Sequence, residues 1–286
     1  MHLEYRSIRW SWSILAALSC LVQSAFAQGV DVRENISYKS GNDLTDYERT
    51  RCALDLYLPK GVSDFPVIVW FHGGGLTEGD KAEKTQADIS RSLAVRGIAV
   101  ASVNYRLSPK VNFPAYVEDA AASVAWVLDN IEGYGGDARN VFVSGHSAGG
   151  YLAAMVGADE HYLAARGHGL DDLAGLMPIS GQMVTHGTIR VERGLPPARP
   201  FIDAAAPVFH VSDHAPPWLA IAGSKDNPAR PEENAYFTAA LKSVGHTDAT
   251  YREFEGRTHG SIVSMIPQKN DPVAQALVEF VERHSR

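Results

Sequence analysis

Apolar runs alternate along this chain with segments that have helical spacing. The run FPVIVWF is unbroken, as expected of a strand covered on both faces, and later strands are predicted at GIAVASVNY, VFVS, LAGLMPIS, PWLAIAG and ATYREFEG. NISYKS and CALDLYLP should form an opening antiparallel pair. Helical spacing occurs at residues 80–96, 115–130, 231–244 and 272–284, and directly after VFVSGHS. This alternation predicts an α/β domain with a mostly parallel central sheet flanked by helices.

Composition and charge narrow the classes of partner. The chain has 286 residues, a formal net charge of −7 and no long basic run, so a nucleic-acid partner is not expected. No internal repeat or linker divides it. Its length suits one well-buried α/β domain rather than two.

The amino-terminus has the pattern of an export signal. Arg6 and Arg9 precede the apolar core WSWSILAALSCLV, and the small-residue sequence AFA ends at Ala27. We therefore expect residues 1–27 to be a cleaved signal peptide and residues 28–286 to form a single periplasmic or secreted domain. The apolar run is shorter than the ~20 residues that span a bilayer, so stable membrane insertion is not expected after cleavage.

Cysteine usage leaves one alternative open. Cys20 follows ALS, which is compatible with lipoprotein processing at that residue, although the apolar run continues past it. Cleavage at Ala27 would leave Cys52 as the only cysteine, so no intrachain disulfide is expected.

A serine at a tight strand-to-helix junction is the first candidate for chemistry. In NVFVSGHSAGGYLAAM, Ser147 lies between an apolar strand and a small-residue helix, with Gly145 and Gly149 two positions away on either side. A turn this abrupt strains the backbone of the serine and requires neighbours without side chains. The pattern Gly-x-Ser-x-Gly is that of a nucleophile elbow, which exposes one hydroxyl beside a helix amino-terminus.

The glycine run in VWFHGGGLTEGD follows the first buried strand. Consecutive glycines expose peptide N–H groups, and this loop matches one that supplies oxyanion donors in esterases. We assign the donors to the amides of Gly74 and Gly75, with Ala148 as the third. His72 is expected to brace this loop rather than act as a base.

Chain order selects the base and the acid that would activate Ser147. His259 follows the last strand, and Asp226 follows the strand before it, which is the order serine, acid, histidine. Asp226 would fix the tautomer of His259 and stabilise its protonated form. Four other carboxyl groups compete for the role of acid: Asp203, Asp213, Glu253 and Glu255. His210 and His214 have i, i+4 spacing but no obvious third ligand, so neither a metal nor a cofactor is expected.

Three segments together carry a family resemblance. HGGG, NYRLSPKVNFPAYVEDA and GHSAGGYLA resemble the bacterial esterases of the hormone-sensitive-lipase-like group, and also related small esterases and kynurenine formamidases of the α/β-hydrolase superfamily. The resemblance implies an α/β-hydrolase fold and a structural role for Arg106, Pro114 and Asp119. His146 stands where the lipase-like group commonly has Asp, which loosens the substrate assignment. Residues 181–216 are left to form a small cap.

The resulting hypothesis is a serine carboxylesterase that hydrolyses small short-acyl or aryl esters through an acyl-enzyme. The first alternative is an arylformamidase or other amide hydrolase with the same triad. The second is a non-catalytic binding protein of this fold, which usually has a damaged triad or oxyanion loop. A prolyl peptidase would need a gating domain that this length does not hold beside the hydrolase. Phe201, Phe209 and Trp218 are candidates to stack on an aromatic substrate, with core packing the expected use of Trp218. The sequence does not predict the oligomeric state.

Overall fold

Eight strands form one sheet in the computed structural model, which describes residues 29–286; the predicted signal peptide lies outside the described residues. The strands are β1 (Val30–Ser37), β2 (Ala53–Pro59), β3 (Phe65–Phe71), β4 (Ala99–Val103), β5 (Gly136–His146), β6 (Gly175–Ile179), β7 (Trp218–Lys225) and β8 (Ala249–Thr258). Their order is β1-β2-β4-β3-β5-β6-β7-β8. β1 and β2 pair antiparallel, β2 joins β4 antiparallel, and the pairs from β4 to β8 are parallel.

Helices connect the strands and cover both faces of the sheet. They are α1 (Asp46–Arg51), α2 (Lys84–Val95), α3 (Ala115–Asn130), α4 (Ala148–Ala158), α5 (His161–Ala164), α6 (Gly187–Glu192), α7 (Arg230–Ser243), α8 (Ser261–Ser264) and α9 (Pro272–His284). Short 3₁₀ turns lie at Ile131–Tyr134, Leu170–Asp172 and Pro207–His210. Within residues 29–286, no helix combines the length and the apolar character needed to cross a membrane.

The unbroken apolar run of β3 is explained by burial on both faces. Val67, Val69 and Phe71 belong to one core cluster, together with residues of α3 and α4. Ile68 and Trp70 alternate with them and belong to a second cluster, together with residues of α2 and α9. A central strand with two covered faces has no polar side to present. The α/β class and the mostly parallel sheet expected from the sequence are confirmed.

The bounds of α2 differ from the expected helix over residues 80–96. The helix begins at Lys84 because the preceding residues serve a buried polar network instead. Lys81 Nζ lies 2.6 Å from Asp55 Oδ1, and Asp80 Oδ1 accepts the Ala82 amide at 2.9 Å. These side chains hold residues 80–83 in a turn.

Arg106 and Asp119 form a buried ion pair at the start of α3. The Asp119 carboxylate accepts the Arg106 Nε at 2.7 Å and Nη2 at 2.8 Å, and Lys39 Nζ lies 2.5 Å away. The paired geometry is typical of a structural arginine–carboxylate contact. Pro114 directly precedes α3. These contacts agree with the structural role that the family resemblance implied.

Candidate active site

Ser147 occupies a strained position between β5 and α4. Its φ is 58° and its ψ is −114°, a conformation that L-residues rarely adopt. A Cβ added at Gly145 would lie 2.6 Å from the carbonyl carbon of Gly149, and one at Gly149 would lie 2.0 Å from the carbonyl oxygen of Phe71. Only glycine fits at either position, because the start of α4 packs directly against the backbone of β3 and β5.

Three side chains from separate loops form one hydrogen-bonded chain. Ser147 Oγ lies 2.9 Å from His259 Nε2, and His259 Nδ1 lies 2.6 Å from Asp226 Oδ1. Ser147 follows β5, Asp226 follows β7 and His259 follows β8, so the carboxyl ends of three parallel strands supply all three groups. The structure therefore brings together the serine, the acid and the base that the sequence selected.

Asp226 is held as a carboxylate by several donors. Ser180 Oγ donates to Oδ2 at 2.5 Å, and the amides of Gly223 and Asn227 donate to the two oxygens at 3.3 and 2.7 Å. Burial by itself would raise the pKa of Asp226, but hydrogen bonds from His259 and Ser180 outweigh it, and the pKa is lowered. Asp226 can therefore accept a hydrogen bond from the protonated imidazole of His259 without removing its proton.

Three of the four competing carboxyl groups, those of Asp203, Asp213 and Glu253, contact other residues. Asp203 accepts from Thr185 Oγ1 at 2.8 Å and pairs with Arg193, while Glu253 accepts from Tyr251 OH at 2.8 Å. Asp213 lies near His214, 3.5 Å away. Among residues 29–286, Asp226 is the carboxylate that contacts His259.

His146 supplies a contact that sequence reasoning did not anticipate. Its Nε2 lies 2.8 Å from the backbone oxygen of His259, and the two rings are 4.6 Å apart between centroids. Burial, followed by the neighbouring His259, lowers the pKa of His146 to about 3. The ring is therefore neutral, donates from Nε2, and ties the elbow to the loop that carries His259.

The glycine loop after β3 presents unengaged amides beside Ser147. Gly74 and Gly75 have φ values of 106° and 62°, and the Gly74 carbonyl accepts the amides of Thr77 and Glu78 at 3.0 Å. Within the described part of the chain, the amides of Gly74, Gly75 and Ala148 donate to no protein acceptor. Thr188 Oγ1 donates to the Gly75 carbonyl and so joins this loop to α6.

His72 braces the glycine loop, as expected from its position. Its Nδ1 lies 2.6 Å from the Gly73 oxygen, and its ring stacks on Tyr105 at 4.4 Å between centroids. Burial lowers the pKa of His72 to about 4, so the ring stays neutral near neutral pH. No hydrogen bond joins the His72 ring to Ser147.

A cleft of about 550 Å³ opens at Ser147. It is lined by the glycine loop, the loop before α3, residues of the 181–216 segment and the first residue of α7. The lining residues are Gly75, Thr77, Ser108, Pro109, Asn112, Ser147, Gln182, His186, Gly187, Thr188, Val191, Glu192, Pro197 and Arg230. Most of these side chains can form hydrogen bonds, so the cleft is polar at several points.

The expected aromatic contacts in this cleft are wrong. Phe201 and Phe209 are exposed and do not line it. Trp218 is fully buried and packs against Phe237 with ring centroids 4.8 Å apart, which is the core role expected for it.

Three functional candidates were missed from the sequence: Ser180, His186 and Arg230. Ser180 follows the end of β6, so the rule that site residues follow parallel strands could have found it. His186 and Arg230 carry no motif, and only the tertiary structure places them at the cleft. His210, by contrast, bonds the Ala204 oxygen at 2.9 Å, and no cluster of three or more metal-binding side chains occurs in residues 29–286.

The sheet, the elbow and the serine–histidine–aspartate chain define the α/β-hydrolase class. The sequence model of the prolyl oligopeptidase family matches residues 115–286, which include Ser147, Asp226 and His259. The chain belongs to this family. A second model, BD-FAE, matches residues 54–174.

Curated relatives are named as esterases. The chain is 28% identical to Esterase LipC of Mycobacterium tuberculosis (strain ATCC 25618 / H37Rv) over 244 residues, which cover 77% of this chain and 59% of that protein. It is also 28% identical to isoprenylcysteine alpha-carbonyl methylesterase ICME of Arabidopsis thaliana, over 93% of this chain and 67% of that protein. The chain spans less than two thirds of the length of LipC and of the related Esterase LipQ.

Solved structures share the fold. A hyperthermophilic esterase from the archaeon Pyrobaculum calidifontis superposes with a TM-score of 0.65 at 29% identity, over 80% of this chain and 81% of that one. A truncated carbohydrate esterase from gut microbiota gives a TM-score of 0.73 at 19% identity, over 92% and 99% of the two chains. The second likeness concerns the fold alone.

Proposed function

We propose that this protein is a serine carboxylesterase that hydrolyses small esters through an acyl-enzyme. The observation that carries the proposal is the Ser147–His259–Asp226 chain, at 2.9 and 2.6 Å, beside three unengaged amides. The names of the relatives support an ester substrate. Because the triad and the glycine loop are both complete, a non-catalytic binding role is disfavoured.

Acylation follows from the positions of these groups. Ser147 Oγ attacks the ester carbonyl carbon while His259 Nε2 takes the hydroxyl proton, and the carbonyl electron pair moves to the oxygen. The amides of Gly74, Gly75 and Ala148 are the donors for that oxyanion. His259 then gives the same proton to the alcohol oxygen as the carbon–oxygen bond breaks, which leaves the acyl group on Ser147.

Deacylation repeats the same steps, with water in place of the Ser147 hydroxyl as the nucleophile. His259 Nε2 accepts a proton from water, the resulting hydroxide attacks the acyl carbon, and the proton returns to Ser147 Oγ as the acid leaves. Asp226 stabilises the imidazolium in both halves through Nδ1–H. Ser180, by donating to the second oxygen of Asp226, fixes the orientation of that carboxylate.

Labelling and turnover test the nucleophile together. A fluorophosphonate probe should modify one residue of the purified protein, and S147A should abolish both labelling and hydrolysis of p-nitrophenyl acetate. The matched control is S243A, which removes an exposed hydroxyl at the end of α7 and should leave both readouts unchanged. Recovery of the label on another serine would refute the assignment.

Amide substrates are the alternative to test beside esters. An amine leaves only after His259 has protonated it, so esters should be the faster substrates of this site. N-formylkynurenine tests the arylformamidase alternative, and a prolyl p-nitroanilide tests for the peptidase activity that the family name suggests. A higher kcat/KM for either amide than for p-nitrophenyl acetate would replace the esterase proposal.

We also propose that the protein is exported to the periplasm or beyond. The support is the sequence pattern of Arg6, Arg9, the apolar run and the AFA site. Expression of the full chain in a bacterium with two membranes should give a mature protein that begins at Gln28. A27D should block this processing, whereas C20S should not. Lipid attached at Cys20 would establish the lipoprotein alternative instead.

A further inference from the structure

An arginine without a hydrogen-bonded carboxylate lies in the wall of the Ser147 cleft. Arg230 is the first residue of α7 and its side chain is 12% exposed. Its Nε and Nη1 are buried and have no hydrogen-bond partner within residues 29–286. A buried guanidinium with unsatisfied donors is costly, so an acceptor that reaches this side chain from the cleft would stabilise it.

The nearby carboxylates give Arg230 one long ion pair but no hydrogen bond. Glu233 Oε2 is 3.9 Å from Arg230 Nη1, too far for a hydrogen bond, and it accepts the Met183 amide at 2.9 Å instead. Burial also raises the pKa of Glu233. Asp226 is engaged by His259, Ser180 and two amides.

Glu192 brings a negative charge to the same cleft, but from α6. Its Oε2 accepts the Phe113 amide at 3.0 Å and the Tyr116 hydroxyl at 3.3 Å. Its Oε1 has no partner among the described residues. No ion pair joins Glu192 to Arg230.

A second cation and a neutral donor accompany Arg230. Arg190 is buried, bonds the Arg199 carbonyl through Nη1 and leaves Nε without a partner. His186 accepts the Thr188 amide at Nδ1, at 3.2 Å, so its ring proton is on Nε2, where no protein acceptor lies among residues 29–286. Burial, followed by Arg230 and Arg190, lowers the pKa of His186 to about 3 and keeps it neutral. Arg230 and His186 therefore present donors in the cleft lining, while Arg190 lies outside that lining and adds positive charge nearby.

We propose that Arg230 is a specificity-determining residue that binds a carboxylate of the substrate, with His186 Nε2–H as an adjacent donor. The substrates are then esters that carry a free carboxylate on either their acyl or their alcohol part. Charge-assisted hydrogen bonds to a desolvated guanidinium favour such substrates over neutral isosteres. This inference rests on the proposed esterase function.

Matched ester pairs test the inference. In the first pair, mono-p-nitrophenyl glutarate, which carries a carboxylate on its acyl part, is compared with the neutral p-nitrophenyl butyrate. For the alcohol side, 4-acetoxybenzoate is compared with its methyl ester. In one of the two pairs, wild-type kcat/KM should favour the carboxylate ester at least about 10-fold, and R230Q should reduce that ratio about 10- to 100-fold. R230K should retain part of the preference because it keeps the charge but not the planar fork.

The control variant is R193Q, which removes an arginine of the same region that pairs with Asp203 and does not line the cleft. It should leave both ratios unchanged. Wild-type preference for the neutral ester in both pairs, an unchanged ratio in R230Q, or an equal loss in R193Q would overturn the inference. Cleavage of the neutral esters in those cases would leave the esterase proposal standing, whereas no cleavage of any ester would refute that proposal itself.

A measurement on the wild-type protein covers the case in which R230Q does not fold. Glutarate should protect Ser147 from the fluorophosphonate probe at concentrations at which glutaramide, its uncharged analogue, does not. Equal protection by the two compounds would show that the cleft does not recognise a carboxylate.

Discussion

At the scale of single residues, hydrogen bonds and burial divide the roles among similar side chains. Asp226 is bound by four donors and remains a carboxylate, while Glu233, which has fewer donors in a buried place, has a raised pKa. His146 is kept neutral by burial and donates to the backbone. His259 contacts both Ser147 and Asp226. Environment therefore decides which carboxylate and which histidine can take part in proton transfer.

The role of Asp226 leads to a prediction for D226N. The side-chain amide introduced by D226N can donate a hydrogen bond to His259 Nδ1. It therefore favours the tautomer with the ring proton on Nε2, which cannot accept the proton of Ser147. We expect kcat to fall about 10⁴-fold while the far-UV circular dichroism stays that of the wild type. The control is E253Q, which changes a competing carboxyl group on β8 and should retain activity. Near-normal kcat in D226N would show that the acid has been misassigned.

At this scale the sequence predicted the residues that carry motifs. Ser147, Asp226, His259 and the two glycines can be proposed because local turns and order along the chain mark them, and the structure places the three side chains within hydrogen-bonding distance of one another. Arg230 could not be predicted, because what marks it is that two of its buried nitrogens lack a hydrogen-bond partner, and only the tertiary structure reveals this. Phe201 was assigned to the cleft from its position in the 181–216 segment, and the path of that segment could not be predicted from composition.

At the scale of elements, the parallel strands assemble the site. β3, β5, β6, β7 and β8 are successive neighbours in the sheet, and each ends at a functional segment. In that order, the segments are the glycine loop, Ser147, Ser180, Asp226 and His259. Parallel neighbours present their carboxyl ends at one edge, which brings together residues separated by more than 180 positions.

The contact between α4 and β3 makes G149A a test of this assembly. A methyl group there would lie 2.0 Å from the Phe71 carbonyl oxygen, and two backbones cannot separate without moving the elbow. We expect G149A to lower the free energy of unfolding by about 3 kcal/mol or more, or to prevent soluble expression. Chemical denaturation followed by fluorescence measures this change.

The matched control for that substitution is G133A. Gly133 has no heavy atom within 4 Å of an added Cβ, and its φ is not in the left-handed region. Its substitution should change stability by less than about 1 kcal/mol. Equal stability of the two variants would mean that α4 does not pack on β3 as described.

Element prediction from the sequence was most accurate for long periodic segments. α3 and α9 have the expected bounds, because each combines amphipathic spacing with a proline or a cap at its start. α1 was missed, since six residues without a buried side chain give no periodicity. Its signal was the capping box of Thr45 and Glu48, which the hydrophobic pattern does not reveal.

The 181–216 segment leads to a prediction of acyl-chain preference. Through α6 this segment contributes to a cleft of about 550 Å³ in which polar side chains are frequent. Each acyl methylene that is buried adds about 0.8 kcal/mol, so activity should rise with chain length only until the apolar space is filled. We expect kcat/KM to be much higher for p-nitrophenyl acetate and butyrate than for laurate. A clear preference for laurate would contradict a small acyl site.

At the scale of the whole molecule, three histidines link folding to pH. His72 follows β3, His146 ends β5 and His186 directly precedes α6, and all three stay neutral in the folded protein. Burial lowers their pKa values to about 4, 3 and 3, respectively. In the unfolded chain each should titrate near 6.5. Between these values the unfolded chain binds protons that the folded protein does not, so acidification favours unfolding.

The free energy of unfolding should therefore fall as the pH is lowered from about 6.5 towards 4. Each such histidine contributes up to about 1.4 kcal/mol per pH unit within this window, or about 4 kcal/mol per pH unit for all three. Glu233 acts in the opposite direction, because its raised pKa lets the folded protein bind a proton first. Below about pH 4, the carboxyl groups with lowered pKa values, such as Asp226 and Asp80, add to the loss. Urea unfolding at half-unit pH steps measures the slope.

H186N measures the contribution of one histidine to this pH dependence. Asparagine can still accept the Thr188 amide at the start of α6, as His186 does, but it does not titrate. Its slope between pH 5.5 and 4 should be smaller than that of the wild type by about 1.4 kcal/mol per pH unit. The comparison is made between slopes, so a constant loss of stability in the variant does not affect it. Parallel slopes for the two proteins would show that His186 is protonated in the folded state, and its Nδ1 would then not be the acceptor that caps α6.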